Sequence, residues 1–285
     1  MSTINREYQD RLFNFIFGTE ENKAWTLSLY NAINGTSYTD PSEIKINTIK
    51  EVLYLGMHND TSFLITDEMN LYEQQSTYNP NMPLRMMQYA GNLYEKYIKE
   101  NNLNKYGSEL LQLPVPKLIV FYNGVREAED EAILRLSDSF PEGSKPDIEV
   151  TVRMININHG RNQKLLDACE PLKEYSWLML EIRKNGKTME IGDAVDKALD
   201  GMPEDFIIKG FLKAHKVEVS GMLLTEYNEA EAMELFRQDG KKEGIDQNRV
   251  ESIKNVMEGL KYTAEQAMEL LKIPVTDQPK YLAKL

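Results

Sequence analysis

The sequence predicts a mixed α/β fold, on three observations. Apolar residues recur at helical spacing between Asn5 and Asn34, the chain from Ile44 to Gln75 changes to period-two alternation, and almost everything beyond Gln163 returns to helical spacing. The resulting order is helix, three strands, helix, strand, strand, then helices. This order predicts a core of helix, three-stranded antiparallel meander, helix and strand, followed by a helical C-terminal extension. At 285 residues the chain can bury a sizeable core. The expected division is a core over 1–185, a helical extension over 186–244 and a C-terminal helical hairpin over 245–285.

The first helical segment carries Tyr8, Leu12, Phe13, Ile16 and Phe17, breaks at Gly18, and resumes with Trp25, Leu27, Leu29 and Ile33. Ile44 to Leu55 alternates as a strand. Thr61 to Ile65 and Asn70 to Gln75 then form a hairpin about an acidic turn within Thr66 to Met69. After the loop Ser76 to Asn81, Asn81 can cap and Pro83 fits the first turn of a helix running to about Lys99. Lys117 to Tyr122 is a near-continuous apolar run, as expected of a strand buried on both faces. A polar loop rich in Asp and Glu leads to one more strand, Ile148 to Ile157. Helical patterns follow at Glu190 to Leu199, Glu204 to Lys213 and Val217 to Gln238, then a charged, glycine-interrupted link at Gly240 to Gly244. Two short amphipathic helices are expected after Gln247, with Thr263 capping the second and Pro274 ending it.

Hydrophobic residues make up 41% and charged residues 27% of the chain, a globular composition. No stretch approaches the roughly 20 apolar residues of a membrane helix, and the polar start, Met1 to Tyr8, lacks the apolar core of a signal peptide. A cytoplasmic protein with no membrane partner and no organic cofactor is expected. The single cysteine, Cys169, has no partner for an internal disulfide and reads as a small core residue among Leu165, Leu166 and Leu172. The net charge of −12 argues against a protein that coats nucleic acid, because such affinity comes mainly from Lys and Arg. A bound divalent metal and a local basic groove remain compatible with it.

The hairpin concentrates the chemistry. With a turn centred on Asp67 and Glu68, Thr66 faces Met69, Ile65 faces Asn70, Ser62 faces Glu73, and Asp60 faces Gln75. Alternation then puts Asp60, Glu73 and Gln75 on one face, while a slip of one residue would scatter them. Two carboxylates with few other ligands suit a hard cation such as magnesium, with Asp60 and Glu73 as the ligands. Such a site activates water for attack on phosphorus, with Gln75 orienting the water or a phosphate oxygen.

The run His58-Asn59-Asp60-Thr61-Ser62-Phe63-Leu64-Ile65, then Leu71-Tyr72-Glu73-Gln74-Gln75-Ser76-Thr77 and Asn79-Pro80-Asn81-Met82-Pro83-Leu84-Arg85, resembles the recombination-promoting nuclease and putative transposase family, Rpn or YhgA-like, of the PD-(D/E)XK nuclease superfamily. That family's pattern of Asp, Glu-x-Gln and a helix opening with Arg matches Asp60, Glu73, Gln75 and Arg85. The resemblance reaches Asp10, the strand from Pro116 to Gly124 ending Phe-Tyr-Asn-Gly, Pro171 to Trp177, and Thr225 to Glu229. It implies a restriction-endonuclease-like core and a DNA endonuclease cutting with little specificity in a recombination, mobile-element or defence setting. The implied cofactor is one or two magnesium ions, with manganese or calcium as alternatives. DNA is the implied partner and a homodimer the implied assembly. Gln75 stands where the wider superfamily has Lys.

Other residues carry two readings each. Arg85 either reaches a phosphate or pairs with Glu73 or another acid. Asp10 either approaches the site as an accessory acid or is a capping or solvated residue. Asp67 and Glu68 read as solvated turn residues, and His58, His159 and His215 are too dispersed for a zinc site. Lys and Arg between Lys145 and Lys187 either line a DNA groove or are solvated. Two other functions remain open. One is a DNA-binding or protein-interaction module without turnover, suggested by the acidic charge and absent lysine. The other is a regulated toxin with a helical tail, suggested by the Gly240 to Gly244 link.

Overall fold

In a computed structural model the chain is described over residues 12–47, 61–274, 277–282 and 284–285, and of 226–244 the backbone alone. It divides into two units, Met1–Asn228 and Glu229–Leu285.

In the first unit, α1 (Leu12–Phe17) and α2 (Lys23–Asn34) flank the predicted break at Gly18. The turn between them is fixed by Thr26, whose hydroxyl donates to the Phe17 carbonyl at 2.6 Å, and α2 ends at Gly35 in the left-handed conformation. Asp40 then accepts from the Ser42 amide and starts a short 3-10 turn, Pro41–Glu43. Of the strand expected over Ile44 to Leu55, the described part is β1 (Lys45–Ile46), and residues 48–55 lie outside the described residues.

The hairpin is β2 (Thr61–Ile65) and β3 (Glu68–Gln75), and its register differs from the sequence reading. Ile65 pairs with Glu68, Phe63 with Asn70 and Ser62 with Leu71, so the two-residue turn is Thr66–Asp67. Glu68 is drawn into the strand because the Tyr30 hydroxyl donates to it at 2.9 Å and Lys117 Nζ lies 3.1 Å from its other oxygen. It is therefore a partnered strand residue, whereas Asp67 is exposed as expected. Thr66 absorbs the tight turn with a φ of 50°. Pairing moves by two positions, an even step, so every described side chain keeps its predicted face.

From β3 the chain enters α3 (Met82–Glu100) and returns as β4 (Val115–Tyr122), parallel to β3. The segment read as an acidic loop contains an edge strand, β5 (Glu131–Arg135). Of its five residues only Leu134 is buried, so it gives little apolar signal. β5 runs antiparallel to β6 (Thr151–Asn156), which is parallel to β4, and the sheet order is β1-β2-β3-β4-β6-β5. The result is a mixed six-stranded open sheet among helices, and β3 lies inside it.

Helices cover both faces of the sheet. Phe63, Tyr72 and Phe121 point to α1, α2 and α5 (Glu170–Asn185), and edge-on rings link Phe63 to Tyr72 and Tyr72 to Phe121. Met69, Leu71 and Val120 point to the other face, where Met82, Met86, Tyr89 and Leu93 of α3 cover them. Cys169, between α4 (Gln163–Ala168) and α5, is fully buried in the first cluster, as predicted.

Beyond α6 (Ile191–Asp200), the helix expected over Glu204 to Lys213 is the shorter α7 (Lys209–Ala214). Buried Glu174 accepts the amides of Ile207 and Ile208 at 2.8 and 2.9 Å, satisfying donors that an earlier helical turn would have used and so marking the start of α7. The Gly240 to Gly244 link is also corrected, because the backbone there lies inside one continuous helix, α8 (Lys216–Leu260). Two glycines cost a helix about 1 kcal/mol each, too little to end one that is 45 residues long. In the second unit Thr263 caps α9 (Ala264–Leu270) through a reciprocal capping box with Gln266. Ile253, Ala267, Met268, Ile273 and Tyr281 form the core there, the last from α10 (Gln278–Leu282). Among the described residues no helix is long and apolar enough to cross a membrane.

Candidate active site

Alternation along β3 sends Met69, Leu71, Glu73 and Gln75 to the α3 face, so a carboxylate and a carboxamide follow two core residues. Glu73 is 2% exposed and Gln75 7%. A carboxylate so far from water requires compensation. It comes from α3, where Arg85 lies just inside the first turn opened by Pro83. Arg85 Nη2 donates to Glu73 Oε1 at 2.8 Å. Gln75 Nε2 approaches the same oxygen at 3.4 Å.

The guanidinium is held on its other sides as well. Its Nε and Nη2 donate to the Tyr89 hydroxyl at 3.2 and 2.8 Å, and Nη1 meets Met82 Sδ at 3.5 Å. Tyr89 is one helical turn from Arg85, and its ring centroid lies 5.6 Å from the guanidinium carbon. Arg85 remains 31% exposed, so the pair is a buried anion met by a cation that still reaches solvent. Tyr89 was absent from the sequence reading, although its spacing of four from Arg85 on a predicted helix was the available signal.

The structure thus brings together Glu73, Gln75 and Arg85. Of the two readings of Arg85, the pairing with Glu73 is present. Asp60 and Asp10 lie outside the described residues. Among the described residues no group of three or more His, Cys, Asp or Glu side chains converges as a metal cage would. Glu73 and the Gln75 carbonyl supply oxygen donors of the type a hard cation takes. His159 is exposed, and His215 packs edge-on against Phe15, so neither joins the site.

A second polar arrangement lies at the carboxyl ends of β4 and β6. Arg183 of α5 donates to the Asn123 carbonyl, and to Asn158 Oδ1 at 2.9 Å, while Asn158 Nδ2 donates to the Gly124 carbonyl at 3.1 Å. Gly124 is packed so closely that a Cβ there would lie 2.4 Å from the Ser76 carbonyl and 2.5 Å from the Tyr122 hydroxyl. The loops after β3 and β4 are therefore in direct contact. In open α/β sheets the carboxyl ends of strands are the common location of ligand sites.

No family model, no curated protein and no solved structure matches the chain.

Proposed function

We propose that this protein is a magnesium-dependent DNA endonuclease with a restriction-endonuclease-like core. The observation that carries the proposal is buried Glu73 on an interior strand, with Gln75 beside it and Arg85 reaching it from the next helix. The path of antiparallel hairpin, crossover helix and parallel strand supports the same reading, because it places that carboxylate near the carboxyl end of β3.

Glu73 would hold magnesium, together with Asp60 as the second carboxylate that the reading requires. One or two ions, or manganese or calcium in their place, are compatible with such oxygen donors. Bound there, the ion would supply Lewis acidity toward a phosphate oxygen. The chain's own groups do the rest. Gln75 presents a donor and an acceptor that orient a water. Arg85, whose side chain is 31% exposed, attracts and aligns the phosphate. A cytoplasmic location, a homodimer and a recombination, mobile-element or defence setting belong to the same proposal.

Purified protein incubated with supercoiled plasmid should nick or linearise it with magnesium and not with EDTA. Folded Asp60→Ala and Glu73→Ala variants should both lose the activity. The Arg85–Glu73 ion pair favours a second reading, a DNA-binding module without turnover, because it neutralises the carboxylate a cation would need. Absent cleavage by folded wild type that still binds DNA would select that reading.

A further inference from the structure

The loop from Asn123 to Asp130 joins β4 to β5 on the surface, yet five side chains hold its backbone. Its carbonyls accept from Arg183 at Asn123, from Asn158 at Gly124, from Tyr122 at Arg126, from Asn156 at Ala128 and from Asn162 at Asp130. Surface loops ordinarily satisfy these groups with water and keep their conformational freedom. Here that freedom is removed, and the loop displays one exposed cation, Arg126.

Arg126 stacks over the ring of Tyr78 with 4.9 Å between guanidinium carbon and centroid. Tyr78 follows Gln75 by three residues and packs against the cluster that contains Met82, Met86 and Tyr89, the cluster on the α3 face of the sheet to which Glu73 also points. The loop's acids do not neutralise Arg126. Glu127 and Asp130 are taken by Arg161 at 3.7 and 3.3 Å, and among the described residues neither these two nor Glu129, the loop's third acid, forms an ion pair with Arg126. A charge left unpaired in a chain of net charge −12, aimed by an aromatic ring and fixed by a rigid loop, suits an anion brought from outside.

We propose that Arg126 is a substrate-positioning residue that grips a backbone phosphate of DNA beside the Glu73 site, with Tyr78 as the platform that aims it. The inference rests on the endonuclease reading above and adds the contact that holds DNA across the loop.

The test measures wild type, Arg126→Gln and Arg126→Lys binding to a short fluorescent DNA duplex in EDTA over a series of salt concentrations, beside thermal melts and plasmid cleavage in magnesium. Arg126→Gln should bind about tenfold more weakly. Its slope of log affinity against log salt should shrink by about 0.9, the value of one lost phosphate contact, with unchanged melting. Arg126→Lys should keep most of the slope. Unchanged affinity and slope in Arg126→Gln, with wild type that binds and cleaves, overturn the Arg126 assignment and leave the endonuclease reading standing. A weaker but equally salt-dependent Arg126→Gln overturns the phosphate contact in favour of a structural role. Wild type that neither binds nor cleaves DNA overturns both.

Discussion

Arg85 Nη2 lies 2.8 Å from Glu73 Oε1, and the two side chains differ sharply in exposure, that of Glu73 being 2% and that of Arg85 31% accessible. Removing the cation takes an opposite charge from a buried carboxylate, whereas removing both leaves no charge to compensate. Arg85→Met should therefore destabilise the first unit by about 1 to 3 kcal/mol, discounted for the solvent that reaches Arg85. Glu73→Gln combined with Arg85→Met should cost less than the sum of the two single changes. Urea denaturation of the four proteins measures the coupling, and strict additivity would show that the pair contributes nothing.

Gly124 has backbone and ring atoms where a Cβ would go. Gly124→Ala must push apart the Ser76 and Tyr122 sides of the junction, at a cost of about 1 to 3 kcal/mol. A melting temperature equal to wild type would show that the loops separate freely.

The Cys169 thiol is pushed up to about 11 by burial, well above its ordinary value of 9.0. The unfolded thiol ionises first, so its contribution to stability is full below pH 9 and is lost as pH rises toward 11. Over that window wild type should lose about 2 to 3 kcal/mol more than Cys169→Ala. Native protein at pH 8 should react with a thiol reagent only as fast as it unfolds, and rapid labelling would contradict the burial.

Within α8, replacing Gly240 or Gly244 by Ala should stabilise the helix by about 0.5 to 1 kcal/mol each, since the backbone there is helical. Circular dichroism melts read this directly. A loss of helix signal on either change would show that the glycines serve a break after all.

Much of this was legible in the sequence because it depended on spacing within one element. The alternation that puts Glu73 and Gln75 on one face is a property of β3 alone and holds whatever the turn, while the faces shared across the hairpin survived a wrong turn assignment because the error was an even number of residues. The turn itself was not legible, because Glu68 is recruited by Tyr30 and Lys117, distant in sequence. β5 was missed for a related reason. It gains its hydrogen bonds from β6 and a bidentate contact between Arg153 and Glu131, while its own residues are mostly exposed. The start of α7 was equally hidden, being set by Glu174 from another helix. Arg85 was read in two ways because the choice depends on the distance to Glu73, a tertiary quantity.

The parallel pairing of β3 with β4 also sets an order of events during synthesis. β3 finds its hairpin partner at once, but its other edge stays open until the ribosome has released α3 and the chain through Tyr122, and β4 in turn waits for Asn156. A growing chain therefore carries the strand that bears Glu73 as an unsatisfied edge while α3 and β4 are still being made, open to pairing with neighbouring nascent chains. Nascent chains arrested before Val115 should be cut readily by protease within β3, and those arrested well beyond Asn156 should be protected there.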